Sequence, residues 1–188
     1  GFLQPSGRVG QVHTVQANLR YPASVEAALR DSHVVINLVG VLTEAGEQTF
    51  DAVQARGAET VAKAAAAAGA RLVHVSAIGA DAESPSRYAR AKAAGEAAVL
   101  AAVPSATIFR PSVMFGPEDQ FTNRFAALAR MSPVLPLIGG ETKMQPVYVG
   151  DVATAIADAV DGKAKAGATY ELGGPEVLTM REIIESIV

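Results

Sequence analysis

Two side chains in the middle of the 188-residue sequence, Tyr88 and Lys92, are spaced for proton transfer. They lie in a run rich in Ala, Lys and Glu that predicts a helix, in which residues four apart share a face with side-chain bases about 5–6 Å apart. A lysine ammonium beside a phenol favours the phenolate, lowering its pKa from about 10 towards neutrality. Such a pair can exchange a proton with a hydroxyl that a nicotinamide oxidises. The spacing also arises by chance, so its placement in the fold decides its weight.

A short strand and a turn are expected to hold this helix in place. The apolar run Leu72–Val75 is too short for a helix and rich in β-branched residues, which predicts a buried parallel strand. A turn of small residues follows, and Ser84-Pro85 is a start signal for a helix of about four turns from Ser86 onward. The pair therefore lies near the beginning of a helix that follows a buried strand.

Strands and helices alternate along the rest of the chain. Apolar runs predict strands at Val12–Val15, Val34–Val39, Leu72–Ser76, Ala106–Phe109 and Thr169–Leu172. Helices are expected at Ala23–Arg30 with Ser24 as N-cap, Gln48–Ala68 closed by Gly69, Asn123–Met131, Val152–Val160 and Met180–Val188, with a loop at Pro133–Gly140 and an extended segment at Pro146–Val149. This order predicts an α/β fold with a parallel sheet, as a single domain over residues 1–188.

Composition excludes several classes of function. The net charge of −3 gives no electrostatic footprint for nucleic acid or an anionic membrane. The absence of cysteine excludes disulfides and thiolate metal sites, and His13, His33 and His74 share no ligand spacing, so no metal site is expected. No uncharged stretch, Ser32–Thr43 among them, approaches the roughly 20 residues that cross a bilayer. We therefore expect a cytoplasmic or peripheral protein without a membrane span.

Six further stretches form a pattern together with Tyr88 and Lys92. They are Asn18-Leu19, Asn37-Leu38-Val39-Gly40, Gln54-Ala55-Arg56-Gly57, Arg110-Pro111-Ser112, Met114-Phe115-Gly116-Pro117 and Val147-Tyr148-Val149-Gly150-Asp151-Val152-Ala153. In this combination the sequence resembles the extended and atypical short-chain dehydrogenase/reductase superfamily, which includes the NAD-dependent epimerases and dehydratases. The match covers nearly the whole chain.

The resemblance implies a Rossmann-type doubly wound sheet that binds NAD or NADP. Its catalytic residues would be Tyr88, Lys92 and Ser76. Its cofactor-binding residues would be Asn18 and Leu19 at the adenine, Val39 and Gly40 beside the diphosphate and ribose, Lys92 at the nicotinamide ribose, and Arg110, Pro111 and Ser112 around the nicotinamide.

Two departures limit what the resemblance implies. The superfamily places a Ser or Thr hydroxyl where this chain has Ile78, and the loss of one polarising donor commonly costs about 10²–10³ in rate. Ser76 is the neighbouring hydroxyl, and a strand-end hydroxyl bonded to backbone is an equal reading of it. The second departure is that Gly1 aligns just before the third strand of the superfamily, so the first βαβ unit with the Gly-rich pyrophosphate turn is expected to be missing from these residues. Either the sequence is a fragment of a longer product or the relationship is one of degradation.

Two expectations follow from that alignment. The strand at Val12–Val15 would have an exposed or wrongly paired edge. Dinucleotide binding by these 188 residues alone would be weak or absent, while the full-length parent would bind NADP or NAD.

Within the superfamily the chain is most similar to the short-chain-dehydrogenase-like accessory subunits of NADH:ubiquinone oxidoreductase (complex I) and their bacterial relatives. The resemblance is carried by VSAIGADAESPSRYARAKAAGEAAV, FRPSVMFGPEDQFTNRFA and QPVYVGDVA. It implies a non-catalytic or weakly catalytic protein with respiratory-complex subunits as partners, peripheral to the inner membrane. The intact Tyr88 and Lys92 favour the alternative, an active NAD(P)-dependent oxidoreductase or epimerase/dehydratase. A nucleotide-sensing regulator of the same fold also stays open.

Overall fold

A computed structural model describes residues 6–131, 137 and 139–187. The α-helices are α1 (Pro22–Leu29), α2 (Arg56–Ala67), α3 (Arg87–Ala102), α4 (Thr122–Met131), α5 (Val149–Val160) and α6 (Met180–Ile187). The strands are β1 (Val34–Asn37), β2 (Arg71–Val75), β3 (Thr107–Pro111), β4 (Met114–Phe115), β5 (Lys143–Met144), β6 (Val147–Tyr148), β7 (Thr169–Leu172) and β8 (Leu178–Thr179). A π-helical turn, Asp51–Ala55, leads directly into α2.

Four of these strands form the central sheet, in the order β1-β2-β3-β7, and all are parallel. Their register sets Asn37 beside His74, Val75 beside Phe109 and Arg110 beside Glu171. The α/β prediction and the adjacency of the strands near 34–39, 72–76 and 106–109 are confirmed. Since all four strands run the same way, their C-terminal ends share one edge, where open α/β sheets bind ligands.

Both faces of the sheet are covered by helices. On one face Val35 and Leu72 pack in a core with residues of α1, α2 and α3, including the fully buried Val99. On the other face Val73 and Phe109 pack against α5. The sheet is therefore doubly wound, as the sequence predicts, and α3 with Tyr88 and Lys92 lies over the first face.

The prediction of a strand at Val12–Val15 is wrong. Residues 12–18 belong to no helix or strand, and Val15 is 66% exposed. A strand requires a neighbour for its ladder of backbone hydrogen bonds, and none of the described strands pairs with this segment. The sheet instead ends at β1, whose Ile36 is 43% exposed.

Several element boundaries also differ from prediction. The N-cap of α1 is Tyr21, with Pro22 in the first turn, while the Ser24 hydroxyl accepts from the backbone N–H of Asn18 and donates to the carbonyl of Tyr21. The expected long helix Gln48–Ala68 is divided into the π-helical turn and α2, and it does close at Gly69, which has φ +65°.

The rest of the described chain forms a smaller region beside the sheet. Strand β4 pairs with β6 in parallel and β5 with β8 antiparallel. An apolar cavity of about 320 Å³ lies between these elements, with Phe115, Phe121 and Ile183 in its wall. The predicted loop at Pro133–Gly140 falls largely on residues outside the described part. Among the described helices, none has both the length and the apolar character needed to traverse a bilayer.

Candidate functional site

The loops that follow β1, β2 and β3 meet at the C-terminal edge of the sheet. The N–H of Ile78 donates to the carbonyl of Pro111 at 3.0 Å, and the N–H of Ser112 donates to the carbonyl of Leu172 at 2.8 Å. These bonds tie the loop after β2 to β3 and the loop after β3 to β7. We refer to this edge of the sheet as the crevice, since open α/β sheets bind ligands there.

Helix α3 brings Tyr88 and Lys92 to this crevice. The helix starts after Ser86, whose hydroxyl accepts from the N–H of Ala89, so both side chains lie in its first two turns. The Lys92 Nζ is 5.9 Å from the centroid of the Tyr88 ring and 3.4 Å from the point where a side chain at Gly40 would place its Cβ. Lys92 is 6% exposed and thus reaches the strand ends from inside the protein.

Burial controls the charge of both groups. The pKa of Tyr88 is raised from its usual value because burial penalises the phenolate, and its ring packs edge-on against Phe50. The pKa of Lys92 is lowered by burial, with partial compensation from the nearby carboxylate of Glu96. The expected lowering of the phenol pKa is therefore not found, since desolvation outweighs the attraction of the ammonium.

Ile78, at the position of the superfamily's catalytic hydroxyl, and Ser76, the nearby hydroxyl, lie in different surroundings. Ser76 is buried at the end of β2, its N–H donates to the carbonyl of Phe109, and its Oγ has no hydrogen-bond partner among the described residues. The reading in which this hydroxyl bonds to backbone therefore does not hold. The side chain of Ile78 is 45% exposed at the crevice and has no hydrogen-bond donor.

Two buried polar residues beneath the crevice were not assigned to the site from sequence. Asn37 Oδ1 accepts from the N–H of Val39, which turns the Asn37 amide nitrogen to His74 Nδ1 at 3.1 Å. Because the Asn37 amide nitrogen can only donate, His74 Nδ1 accepts this hydrogen bond and the ring proton lies on Nε2. Nε2 has no partner in the described part of the chain. Burial, with Lys92 nearby, lowers the pKa of His74 to about 4. The alternation of β2, which puts His74 on the same face as Ser76, was the signal that could have found it.

Gln54, from the π-helical turn, completes this buried polar group. Its Nε2 donates to the carbonyl of Val41, whereas its Oε1 has no partner among described atoms and lies 3.9 Å from the Cβ point of Gly40. Turns of this type often occur at functional sites. Of the three residues with unpartnered atoms, His74 lies on β2, Ser76 directly follows it, and Gln54 lies beside Gly40, as Lys92 does.

Arg110 is held by protein carboxylates. Its Nη2 is 2.6 Å from Glu96 Oε2, its Nε is 3.0 and 3.2 Å from the two Glu96 oxygens, and its Nη1 is 3.3 Å from Glu171. These bonds raise the pKa of Arg110, with the Glu96 hydrogen bonds the largest cause. Its guanidinium therefore ties α3 to β3 and β7, and its contact with the nicotinamide stays a prediction.

The residues expected at the adenine lie in the turn before α1. Asn18 is exposed, and its Oδ1 accepts from the N–H of Arg20 in an Asx turn. Leu19 packs into the core, with its Cδ1 2.8 Å from the Cβ point of Gly57. Leu19 also lines a pocket of about 410 Å³ together with Arg20 and Arg56.

Comparison with known proteins places the chain in a family. Residues 3–188 match the model of the RmlD substrate binding domain. The chain belongs to this family. It is 44% identical over 187 residues to the NADH dehydrogenase [ubiquinone] 1 alpha subcomplex subunit 9, mitochondrial, of Arabidopsis thaliana, covering 97% of this chain and 46% of that protein. It is 36% identical over 154 residues to a ceramide reductase of Caulobacter vibrioides, covering 82% of this chain and 49% of that protein.

A solved structure shares the fold. The dTDP-4-dehydrorhamnose reductase of Bacillus anthracis, solved in complex with NADP, aligns with a TM-score of 0.78 at 20% identity, covering 90% of this chain and 67% of that one. The resemblance inferred from sequence is therefore confirmed for family and fold. The chain spans about half the length of the curated relatives named above.

Part of the site fits a nicotinamide dinucleotide. Gly40 leaves space beside Lys92, no described residue forms a hydrogen bond or ion pair with the Lys92 Nζ, and the Ser76 Oγ is unpartnered. An ammonium and a hydroxyl beside a glycine suit the hydroxyls of a ribose. The fit therefore concerns one ribose of the cofactor.

Proposed function

We propose that this chain is part of the dinucleotide-binding domain of an accessory subunit of respiratory complex I, and that the longer protein holds NAD(P)(H) with little or no catalysis. The observation that carries the proposal is Ile78, an aliphatic side chain at the position where a catalytic hydroxyl is expected. The raised pKa of Tyr88 supports it, because a phenol that resists ionisation is a poor base at neutral pH. The identity to mitochondrial complex I subunits supports the assignment as a subunit.

Three residues of the chain would hold the cofactor. Lys92 would donate a hydrogen bond to the ribose of the nicotinamide, and Gly40 would let that ribose approach. Ser76 would donate a hydrogen bond to the cofactor at the nicotinamide side of the crevice. When bound, the dinucleotide supplies a hydride acceptor or donor. Tyr88 would form one wall of the crevice, with its hydroxyl protonated at neutral pH.

Binding of NADH or NADPH to the 188-residue chain alone is expected to be weak. Among residues 6–131, 137 and 139–187, no Gly-rich turn between a strand and a helix is present to bind the pyrophosphate. Losing two or three charge-assisted hydrogen bonds at about 1.5–3 kcal/mol each moves a micromolar site into the high-micromolar to millimolar range. Calorimetric titration with both cofactors measures this. A dissociation constant of about 10 µM or less would contradict the expectation, and Lys92→Met should weaken whatever binding remains.

The second candidate function is an active reductase, favoured by the unpartnered hydroxyl of Ser76 and by the identity to a ceramide reductase. A tagged longer parent protein and its Tyr88→Phe variant separate the two candidates. For an accessory subunit, both should co-purify with the respiratory complex from membranes, and neither should oxidise NAD(P)H above background.

For an enzyme, Tyr88→Phe should lower turnover by about 10²–10⁴ with dinucleotide affinity nearly unchanged. Tyr21→Phe is the matched control, because Tyr21 is 61% exposed and lies outside the crevice. A turnover that falls only in the Tyr88 variant would overturn the proposal of a non-catalytic subunit.

A further inference from the structure

Lys92 and Glu96 are placed for an ion pair that does not form. They are four residues apart on α3, and each is only 6% exposed. Opposite charges at this spacing on a helix usually attract, and a buried ammonium gains strongly from a carboxylate partner. Nevertheless, no ion pair within 4.0 Å joins them; Glu96 pairs with Arg110 instead.

The guanidinium geometry of Arg110 explains why it, and not Lys92, pairs with Glu96. Its guanidinium spans both Glu96 oxygens, with distances of 3.0, 3.2 and 2.6 Å, and its remaining nitrogen contacts Glu171. A planar fork matches a carboxylate better than an ammonium does. Arg110 also extends from the end of a central strand, which fixes the fork relative to the crevice.

We propose that Arg110 is a positioning residue for Lys92: by holding Glu96, it leaves the Lys92 ammonium unpaired and directed to Gly40 at the crevice. The inference rests on the proposed role of Lys92 in holding the dinucleotide. Its test measures the ammonium itself and therefore succeeds or fails independently of cofactor binding.

The charges around Lys92 give the proposal a definite sign. The titratable groups near it are Tyr88 and Glu96 on α3 and neutral His74 on β2. Arg110 on β3 pairs with Glu96, and Glu171 on β7 pairs with Arg110. Removing Arg110 takes away a cation and releases a carboxylate, and both changes favour the charged form of Lys92. Removing the charge of Glu96 takes away the carboxylate nearest to Lys92 and leaves Arg110 with Glu171 as its only carboxylate partner among the described residues, and both changes disfavour the charged form of Lys92.

Measurement of the Lys92 pKa by ¹⁵N NMR of labelled lysine side chains tests this prediction. The chain has five lysines, and the signal missing from a Lys92→Arg variant identifies Lys92. In Arg110→Gln we expect the pKa of Lys92 to rise by roughly one unit or more, and in Glu96→Gln to fall. Arg110→Lys, which can contact one oxygen, should give a smaller rise, and Glu171→Gln should change the value little.

The opposite signs separate positioning from loosened structure. A variant that merely opens the core would expose Lys92 to water, so both Arg110→Gln and Glu96→Gln would then move its pKa towards the ordinary lysine value. A rise in both variants, or no rise in Arg110→Gln, overturns the proposal. If Arg110→Gln does not fold, Arg110→Lys and the double variant Arg110→Gln/Glu96→Gln decide: the double variant should lack the rise that a released carboxylate causes.

Discussion

Replacing Gly95 with alanine is expected to destabilise the protein by about 3 kcal/mol or more, at the upper end of the range for overpacking. The added Cβ would lie 2.1 Å from the carbonyl oxygen of Gln54 and 3.2 Å from its carbonyl carbon. Both are backbone atoms of the π-helical turn, so relief requires α3 to move away from that turn. Urea unfolding of the variant and the wild-type protein measures the difference.

A matched control lies one residue away. Ala94 is exposed on the same helix, and Ala94→Gly should cost only about 1 kcal/mol, the helix-propensity difference between the two residues. That difference would favour Gly95→Ala, so any loss there must come from the contact with Gln54. A Gly95→Ala protein as stable as the wild type would mean that α3 and the π-helical turn are not in close contact.

The second large effect is a loss of stability in mild acid caused by His74. Its pKa is about 4 in the folded protein, against 6.5 for an unperturbed histidine, because burial and Lys92 disfavour the imidazolium. Between these two values the unfolded state binds more protons, so the stability that is fully present above pH 6.5 is lost as the pH falls towards 4. Since one pKa unit corresponds to about 1.4 kcal/mol, the loss amounts to about 3 kcal/mol.

Denaturant unfolding at several pH values tests this in the variant His74→Gln. A glutamine carbonyl can accept from Asn37 in place of Nδ1, and the side chain carries no titrating group. The variant should therefore show a flatter dependence of stability on pH between about 4 and 6.5. His33→Gln is the matched control, because it makes the same replacement at an exposed histidine. An equal slope in the wild type and in His74→Gln would contradict the prediction.

The sequence by itself determined the class of fold, the order of the elements and the position of the Tyr88 helix. These depend on short-range patterns: an apolar run such as Leu72–Val75 and a run rich in helix formers after Ser86 act through neighbours a few residues away. For that reason the predicted strand Thr169–Leu172 agrees with the structure residue for residue. The family motifs placed the crevice at Gly40 and Ser76 in the same way.

Long-range contacts and single side-chain hydrogen bonds decided what the sequence could not. The segment Val12–Val15 has the composition of a strand, but its conformation depends on a pairing partner, and the end of Val34–Val39 is set by the Asn37 side chain, which bonds the N–H of Val39. Such contacts join residues far apart or depend on one rotamer, and periodicity carries no information about either.

The electrostatics of the site were likewise decided by the tertiary structure. The spacing of Lys92 and Tyr88 predicted a lowered phenol pKa, whereas burial raises it, because desolvation depends on everything packed around the ring. Helical spacing favours Glu96 as a partner of Lys92. In the structure Glu96 instead pairs with the guanidinium of Arg110, which lies on a strand 14 residues further along the chain. Sequence spacing thus identified the reactive side chains, while their charges and partners were determined only when the sheet brought β2, β3 and α3 together.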